Sequence, residues 1–541
     1  MIDTLLLNGS IIDGTGAPAY SGSVGLHNGR IIMITRPDGS GTAELINASA
    51  NNVFNVDGLT IAPGFIDQHT HSDITLLADG RGNSQVCQGV TLEIIGQCGF
   101  SASPCHSPEI VKQRMIGYHS SVDVSWSSFG EYLNCASEHQ LGLNVAAMVG
   151  HGALRWTTTR GVSRQITRED VEQMTQLLRE SCLEGGFGLS LGLEYEPGLS
   201  ANVQELQKLA AVTGRLNLPV SSHIRNRDKY FDLAVAEMCS LSRNSDAEVI
   251  ISHVNPKFGA PESAMEQILE TVLASRNRGI QIFMDLMPDI WANTSMISIL
   301  PTWAFKNGIE GVVELLTDDK MRSRIKQDLK PIWQLVLQGR WELIYLMHAE
   351  NSTELIGKSF YEISKERKRP ADDCLLDIIR DEGLGMVNLL WTAKNFKEND
   401  VITALSDPYC GVISDARTHS PDGVLKDRRG ALATYGWAAH FLNRYVHVLN
   451  KLPLEDAIRR LTMLPATRFG ISDRGRIAPG VWADIVVFDP IKIRSNVSFD
   501  NPASYPSGIK HVFCNGQAVV LDGVRTNNNP GKVIKSYNYR K

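Results

Sequence analysis

His69 and His71 lie two residues apart in the run Asp67-Gln68-His69-Thr70-His71. On an extended strand that spacing puts both imidazoles on one face, where they can converge on a single ion. Alone the pair is weak evidence, because two histidines bonded to backbone would look the same. It gains weight from four more residues that each close a short apolar run: Cys98 in Gly96-Gln97-Cys98-Gly99, His223 after Ser222, His253 after Ser252 and Asp415 after Ser414. Imidazole, thiolate and carboxylate are the ligand types zinc takes, so the six together read as a metal site. Cys98 differs from the other eight cysteines, which read as small buried hydrophobes. It lies between glycines that allow close approach, and a bound metal would hold it as thiolate. Asp415 taken alone reads equally well as a helix cap. His151, Glu194, Tyr195 and Arg225 follow other apolar runs and are weaker candidates for contacting a substrate. His106, His119, His139, His348, His440 and His447 fall in helical or irregular stretches and read as ordinary histidines.

The elements that must position these groups alternate along the middle of the chain. Apolar runs fall at 60–67, 90–96, 143–150, 186–193, 218–223, 248–253, 279–287 and 410–415, and amphipathic stretches such as 168–185 and 202–217 separate most of them. Continuous apolar strands between helices imply a parallel sheet buried on both faces. Eight such strands close a (β/α)8 TIM-type barrel, whose functional groups sit at the C-terminal ends of the strands. Both chain ends instead read as short strands broken by Asn-Gly and Asp-Gly, the strongest short hairpin signals. The expected domains are a β-sandwich from residues 1–60 and 476–541, and a barrel over 61–475. Residues 288–400 fit the alternation badly and read as a helical insertion near the barrel mouth, although Met386–Trp391 is a rival for one barrel strand. The helix at 454–470 is amphipathic, which gives it a packing role.

Composition excludes several classes. The chain has 541 residues, 43% hydrophobic and 21% charged, with a net charge of -6, which argues against nucleic acid or an anionic membrane surface as partner. Nine cysteines, an odd number with no C-x-x-C pair, fit a reducing compartment rather than a disulfide framework. The first residues lack the basic and long apolar regions of a signal peptide, and no apolar run reaches the roughly 18–20 residues of a membrane helix. The expectation is a cytoplasmic protein acting on a small molecule, with homo-oligomerisation left open.

The run Ala62-Pro63-Gly64-Phe65-Ile66-Asp67-Gln68-His69-Thr70-His71 resembles the first metal motif of the amidohydrolase superfamily. Gly96–Phe100, Gly150-His151-Gly152, Gly192–Gly198, Ser222–Arg225 and Ile251–His253 resemble the N-acyl-D-amino-acid deacylases within it, and Arg474–Gly480 with Ala483–Asp489 is similar to that superfamily's return into its small β domain. The resemblance spans nearly the whole chain outside 288–400. It implies a tightly held zinc on Cys98, His223 and His253, and a weaker second position on His69, His71 and Asp415, with the cysteine able to bridge. It also implies that Asp415 is the acid–base catalyst. Two departures stand out. The family's Asp-x-Tyr-Pro, whose tyrosine helps hold the substrate carboxylate, is here Asp285-Leu286-Met287-Pro288. Its His-Pro-Arg segment is here Asp415-Ala416-Arg417-Thr418-His419-Ser420-Pro421.

The reaction expected is zinc-dependent hydrolysis of a linear amide. His151, Tyr195, Arg225, Met287 and Arg417 are the candidate substrate contacts, and Met287 in place of a phenol suggests a bulkier or less anionic amide. Trp291, Trp303 and Trp391 are candidates for the mouth, with core packing as the ordinary alternative. Three other readings are amide formation or acyl transfer at the same site, a cyclic-amide hydrolase, and a non-catalytic scaffold. The absence of lysine between Gly186 and Gly198 counts against a cyclic-amide hydrolase bridged by a carbamylated lysine. The presence of all six expected ligands counts against a scaffold.

Overall fold

The structure is a computed structural model that describes residues 2–41, 49–162, 164–329 and 333–538. Both chain ends meet in one nine-stranded sheet. Strand Thr60–Pro63 from the N-terminal part pairs antiparallel with Ile485–Phe488 from the C-terminal part, Ala62 lying opposite Val486. Three of the expected turns are hairpin turns, whereas Asn8-Gly9 is a register shift inside strand Ile2–Ile11. Asn28-Gly29, Asn515-Gly516 and Asp522-Gly523 all have positive φ at both residues, the type I′ geometry that matches the twist of the strands they join. Strand Ile485–Phe488 alternates between two cores. Ile485 and Val487 face an apolar cluster within the terminal sheet, while Val486 and Phe488 face the main core.

Residues 60–67 read as one strand but form two. Thr60–Pro63 belongs to the terminal sheet and Phe65–Asp67 to a different, parallel one. Gly64 lies at the change of sheet. A Cβ there would lie 2.2 Å from Oγ1 of Thr91 on the neighbouring strand, so only glycine fits so close an approach.

The eight apolar runs pair in parallel and in chain order. Phe65–Asp67 pairs with Val90–Ile95, and that strand with Asn144–Ala147. After Met148 the third run continues as Val149–Gly150, which pairs with Leu189–Gly192. The series continues through Val220–His223, Val249–Ile251, Ile282–Leu286 and Gly411–Val412. Beyond the last of these, the Asp415 N–H donates to His69 O at 3.2 Å and the His71 N–H to Ala416 O at 2.8 Å. Every residue of Val90–Ile95, Val220–His223 and Ile282–Leu286 is buried, as strands covered on both faces require. Helices Arg168–Leu183, Val203–Arg215, Phe231–Ser245 and Ala264–Asn277 cover the outside. The first starts at a capping box in which Thr167 accepts from the Asp170 N–H, so its opening is fixed locally.

Three expectations need correction. The stretch 288–400 is not simply helical, because Trp291–Ser295, Leu390–Lys394 and Ile344–His348 form a three-stranded antiparallel sheet packed with helices Gly308–Thr317 and Ala371–Glu382 around a separate apolar core. That sheet takes the end of the Met386–Trp391 run, so the run is no rival for a barrel strand. The chain end, read from sequence as short strands, does not close on one over the described residues 532–538. Lys532 and Ile534 bond along Val145, Ser536–Asn538 is a short 3-10 turn, and Tyr539 and Arg540 lie outside the described residues. The amphipathic helix at 454–470 is two helices, Leu454–Leu461 and Met463–Arg468, parted at Thr462.

The first of these two helices does more than pack apolar surface. Arg460 is almost fully buried and donates to the carbonyls of Leu405, Asp407 and Cys410, and to Asp456. It thereby anchors the turn that leads into strand Gly411–Val412. Among the described residues no helix is long and apolar enough to cross a membrane.

Candidate metal centre and active site

Four of the six expected ligands converge. One ligand atom from each of His69, Cys98, His253 and Asp415 lies within 4.8 Å of the others. His69 Nε2 is 3.1 Å from Cys98 Sγ, Cys98 Sγ is 3.3 Å from His253 Nε2, and His69 Nε2 is 3.4 Å from Asp415 Oδ1. The other two ligands border this group. His71 Nε2 is 3.1 Å from Asp415 Oδ1. The His223 ring lies 4.5 Å from that of His253, and its Nε2 bonds to Glu194 at 2.8 Å, leaving Nδ1 for another partner. Each group follows a strand end, and the backbone there is unusual. Cys98, His253 and Asp415 have φ of 54°, 39° and 53°, a left-handed region that few non-glycine residues occupy. Gly99 after the cysteine has φ of 76°, and a Cβ on it would lie 2.8 Å from the Gly192 nitrogen.

Burial sets the charges. It pushes the imidazole of His69 down to about 3 and that of His253 well below the histidine range, so both are neutral bases. Burial, with repulsion from Asp415, raises the Cys98 thiol. Burial also opposes the charge on Asp415, but His71 and His69 outweigh it and hold that carboxyl below its ordinary value. Two neutral imidazoles, a thiol and a carboxylate in one pocket make a donor set suited to a zinc-type ion, and Nδ1 of both His69 and His253 is buried without a hydrogen-bond partner. Buried Asp67 and Asp285 accept the backbone N–H groups of His69 and His253, at 3.4 and 2.5 Å, and so orient the segments that carry them. Desolvation raises both carboxyls to about 7.

The cluster borders a chamber of about 90 Å³. Of the candidate substrate contacts, Tyr195, Met287 and Arg417 line it. The Tyr195 hydroxyl donates to Cys98 O at 2.8 Å, which steadies the cysteine turn. Burial lowers Arg417 to about 10, and it has no carboxylate paired with it among the described residues. Two other expected contacts lie elsewhere. Arg225 turns away to Glu237 and the carbonyls of Leu199 and Ala201, so it braces a loop. His151 is fully buried against Glu205, which Arg155 also binds, so it is a packed helix-start group. None of the three nominated tryptophans lines the chamber. Trp391 stacks on Trp333 in the core of 288–400, Trp303 bonds to Asp328, and Trp291 packs on Tyr345 and Phe499.

Residues 399–520 match the Amidohydrolase family. Over 98% of its length the chain is 26% identical to a D-aminoacylase of Alcaligenes xylosoxydans xylosoxydans, covering 97% of that protein. Over 99% it is 27% identical to an N-acyl-D-glutamate deacylase of the same organism, covering 96%. Among solved structures it is similar to an N-acyl-D-glutamate deacylase from Bordetella bronchiseptica complexed with zinc and a phosphonate inhibitor, at 25% identity, a TM-score of 0.80 and 99% coverage of both chains. Along almost its whole length the chain is thus similar to amidohydrolases that deacylate N-acyl-D-amino acids.

The chain also carries chamber residues that sequence reading passed over. Lys257 and Arg227 line the chamber, and so does Trp333. Lys257 pairs with Glu194, which also holds His223. Burial opposes the charge on Glu194, yet Lys257 and His223 prevail and bring its carboxyl down to about 2. Arg227 donates to His253 O at 2.5 Å. Both cations lie four residues beyond a histidine that ends a strand, in His223-Ile224-Arg225-Asn226-Arg227 and His253-Val254-Asn255-Pro256-Lys257. That shared offset was a signal available in the sequence. Nothing comparable marked Trp333.

Proposed function

We propose that this chain is a metal-dependent deacylase that hydrolyses linear N-acyl-D-amino acids. The observation that carries the reading is the convergence of His69, Cys98, His253 and Asp415 beside a chamber walled by Arg417, Lys257 and Arg227. The chain's similarity along almost its whole length to D-aminoacylase supports it. The cyclic closure of eight parallel pairings is read as a (β/α)8 barrel over 61–475, carrying the insertion 288–400 near its mouth. The terminal sheet of 1–60 and 476–541, wrapped on its own core, is read as a small β-sandwich. None of the nine cysteines is joined in a disulfide, which suits the cytoplasm.

Cys98, His223 and His253 would hold the tighter zinc, and His69, His71 and Asp415 a weaker second position. A bound zinc supplies Lewis acidity, polarising the amide carbonyl and making water acidic near neutral pH. Asp415, held ionised between His71 and His69, takes the proton from the attacking water. It then delivers that proton to the leaving nitrogen, which departs as an amine because an amide anion is too basic to leave. Arg417, which has no paired carboxylate among the described residues, receives the substrate carboxylate in place of the phenol that Met287 replaces. Glu194 offsets Lys257 on the chamber wall, which leaves Arg417 and Arg227 to favour an anionic amine portion, contrary to the less anionic substrate that Met287 alone suggested.

The test is mass-spectrometric assay of purified protein, stripped of metal and then reloaded with zinc, against a panel of N-acyl-D- and N-acyl-L-amino acids. Zinc-dependent release of free D-amino acid is expected. Absence of hydrolysis across the panel overturns the reading.

A further inference from the structure

The chamber has a neighbour. A second cavity of about 190 Å³ adjoins it, the two sharing Phe100, Ile116, Tyr195, Thr294 and Ser295 as wall residues. At this shared wall the Ser295 hydroxyl is buried without a hydrogen-bond partner. Beyond it the side cavity is largely apolar, with Trp156, Ile297, Leu300, Phe305 and Val387. An aromatic path leads in, from Tyr195 stacked on Phe100 at 5.2 Å to Trp156 next to Phe100 at 6.5 Å. Arg114 lies over Trp156 at 5.1 Å and lines this cavity but not the chamber. Burial disfavours its charge. The neighbouring Arg155 and Arg164 are paired with Glu205 and Asp170, whereas Arg114 has no hydrogen bond or ion pair among the described residues. Glu196, the other charged group on the wall, accepts from Ser200.

Topology decides which half of a substrate would enter. Asp415 follows the eighth strand and Tyr195 the fourth, so they lie on opposite sides of the eight-strand ring. If Asp415 protonates the leaving nitrogen, the amine half lies on its side with Arg417, and the acyl half points toward Tyr195, Phe100 and the side cavity. We propose that this cavity is an acyl subsite, and that the enzyme prefers substrates whose acyl group is a medium-length apolar chain ending in an anionic or carbonyl group held by Arg114. This rests on the deacylase reading above. Hydrolysis would release that acid and the free amino acid, with water as the only co-reactant.

The test compares kcat/KM for N-acetyl-, N-hexanoyl- and N-adipoyl-D-leucine, with N-acetyl-D-alanine and N-acetyl-D-phenylalanine as a second series that puts bulk on the amine side. The four added methylenes predict a preference for hexanoyl over acetyl of about tenfold or more. That ratio should collapse in Ile297→Trp and, independently, in Ser298→Trp, both of which fill the side cavity. N-adipoyl should exceed N-hexanoyl severalfold, and Arg114→Met should abolish that advantage. Equal rates for acetyl and hexanoyl substrates overturn the proposal. So does a collapse of the phenylalanine-to-alanine ratio, rather than the acyl ratio, in the filled variants. Cleavage of no substrate in either series instead overturns the deacylase reading itself.

Discussion

Asp415 is the residue on which the chemistry turns. It touches both histidines of the first strand and keeps its charge despite burial. Asp415→Asn keeps size and much of the hydrogen bonding but removes the proton acceptor. Its kcat is expected to fall by about 10²–10⁴-fold, the usual share of general acid–base catalysis, with the fold and the tightly held ion kept. Turnover near that of the parent protein, with metal content verified, removes Asp415 from the mechanism. Arg417 can be tested separately. Arg417→Met should raise KM for free acids by about tenfold or more while leaving the matching carboxamides nearly unchanged, since a cation–carboxylate bond contributes roughly 1.5–3 kcal/mol. An equal effect on both classes would place Arg417 in the structure of the chamber wall rather than in recognition. The sequence disclosed the six ligand types because each closes an apolar run. It did not disclose that Arg225 and His151 find carboxylates elsewhere, because those partners, Glu237 and Glu205, are reached only once the helices dock.

At the scale of elements, periodicity revealed the eight parallel strands and the hairpins. It failed where one run serves two structures. Residues 60–67 are uniformly apolar, so nothing in their pattern marks Gly64 as a change of sheet; the cause is contact with Thr91, a neighbour in space. The sheet in 288–400 was hidden for a similar reason, since strands Trp291–Ser295 and Leu390–Lys394 lie about a hundred residues apart in the chain. Helix Leu454–Leu461 shows what amphipathicity omits. Its pattern predicts packing, but Arg460 sits inside and ties three carbonyls ahead of the strand that carries Asp415. Arg460→Met keeps much of the buried stem and removes the donors, leaving those carbonyls and Asp456 short of partners. A loss of about 3 kcal/mol in unfolding free energy is expected, together with weakened activity through displacement of Asp415. A denaturant midpoint like that of the parent protein would show that water replaces the guanidinium.

At the scale of the whole molecule, the four converging ligands are drawn from residue 69 to residue 415, and they follow strands that no local segment holds together. A metal bound there by the folded chain and not by the unfolded one would crosslink the parallel strands at one end. It would also relieve the burial that now bears on Cys98 and Asp415. Ligand linkage then fixes the size of the effect: free metal at a hundred to a thousand times its dissociation constant stabilises by about 2.7–4.1 kcal/mol. In a chain of this size that is an increase of several degrees in unfolding temperature. Chelated protein titrated with zinc should therefore show a rising Tm that saturates, while Cys98→Ala and His253→Ala should show neither the rise nor retained zinc. His69→Ala and His71→Ala should keep the tight ion and most of the shift, because they belong to the weaker position. If zinc leaves the parent Tm unchanged while activity still depends on it, the ion binds without joining these strands and the ligand assignment is wrong.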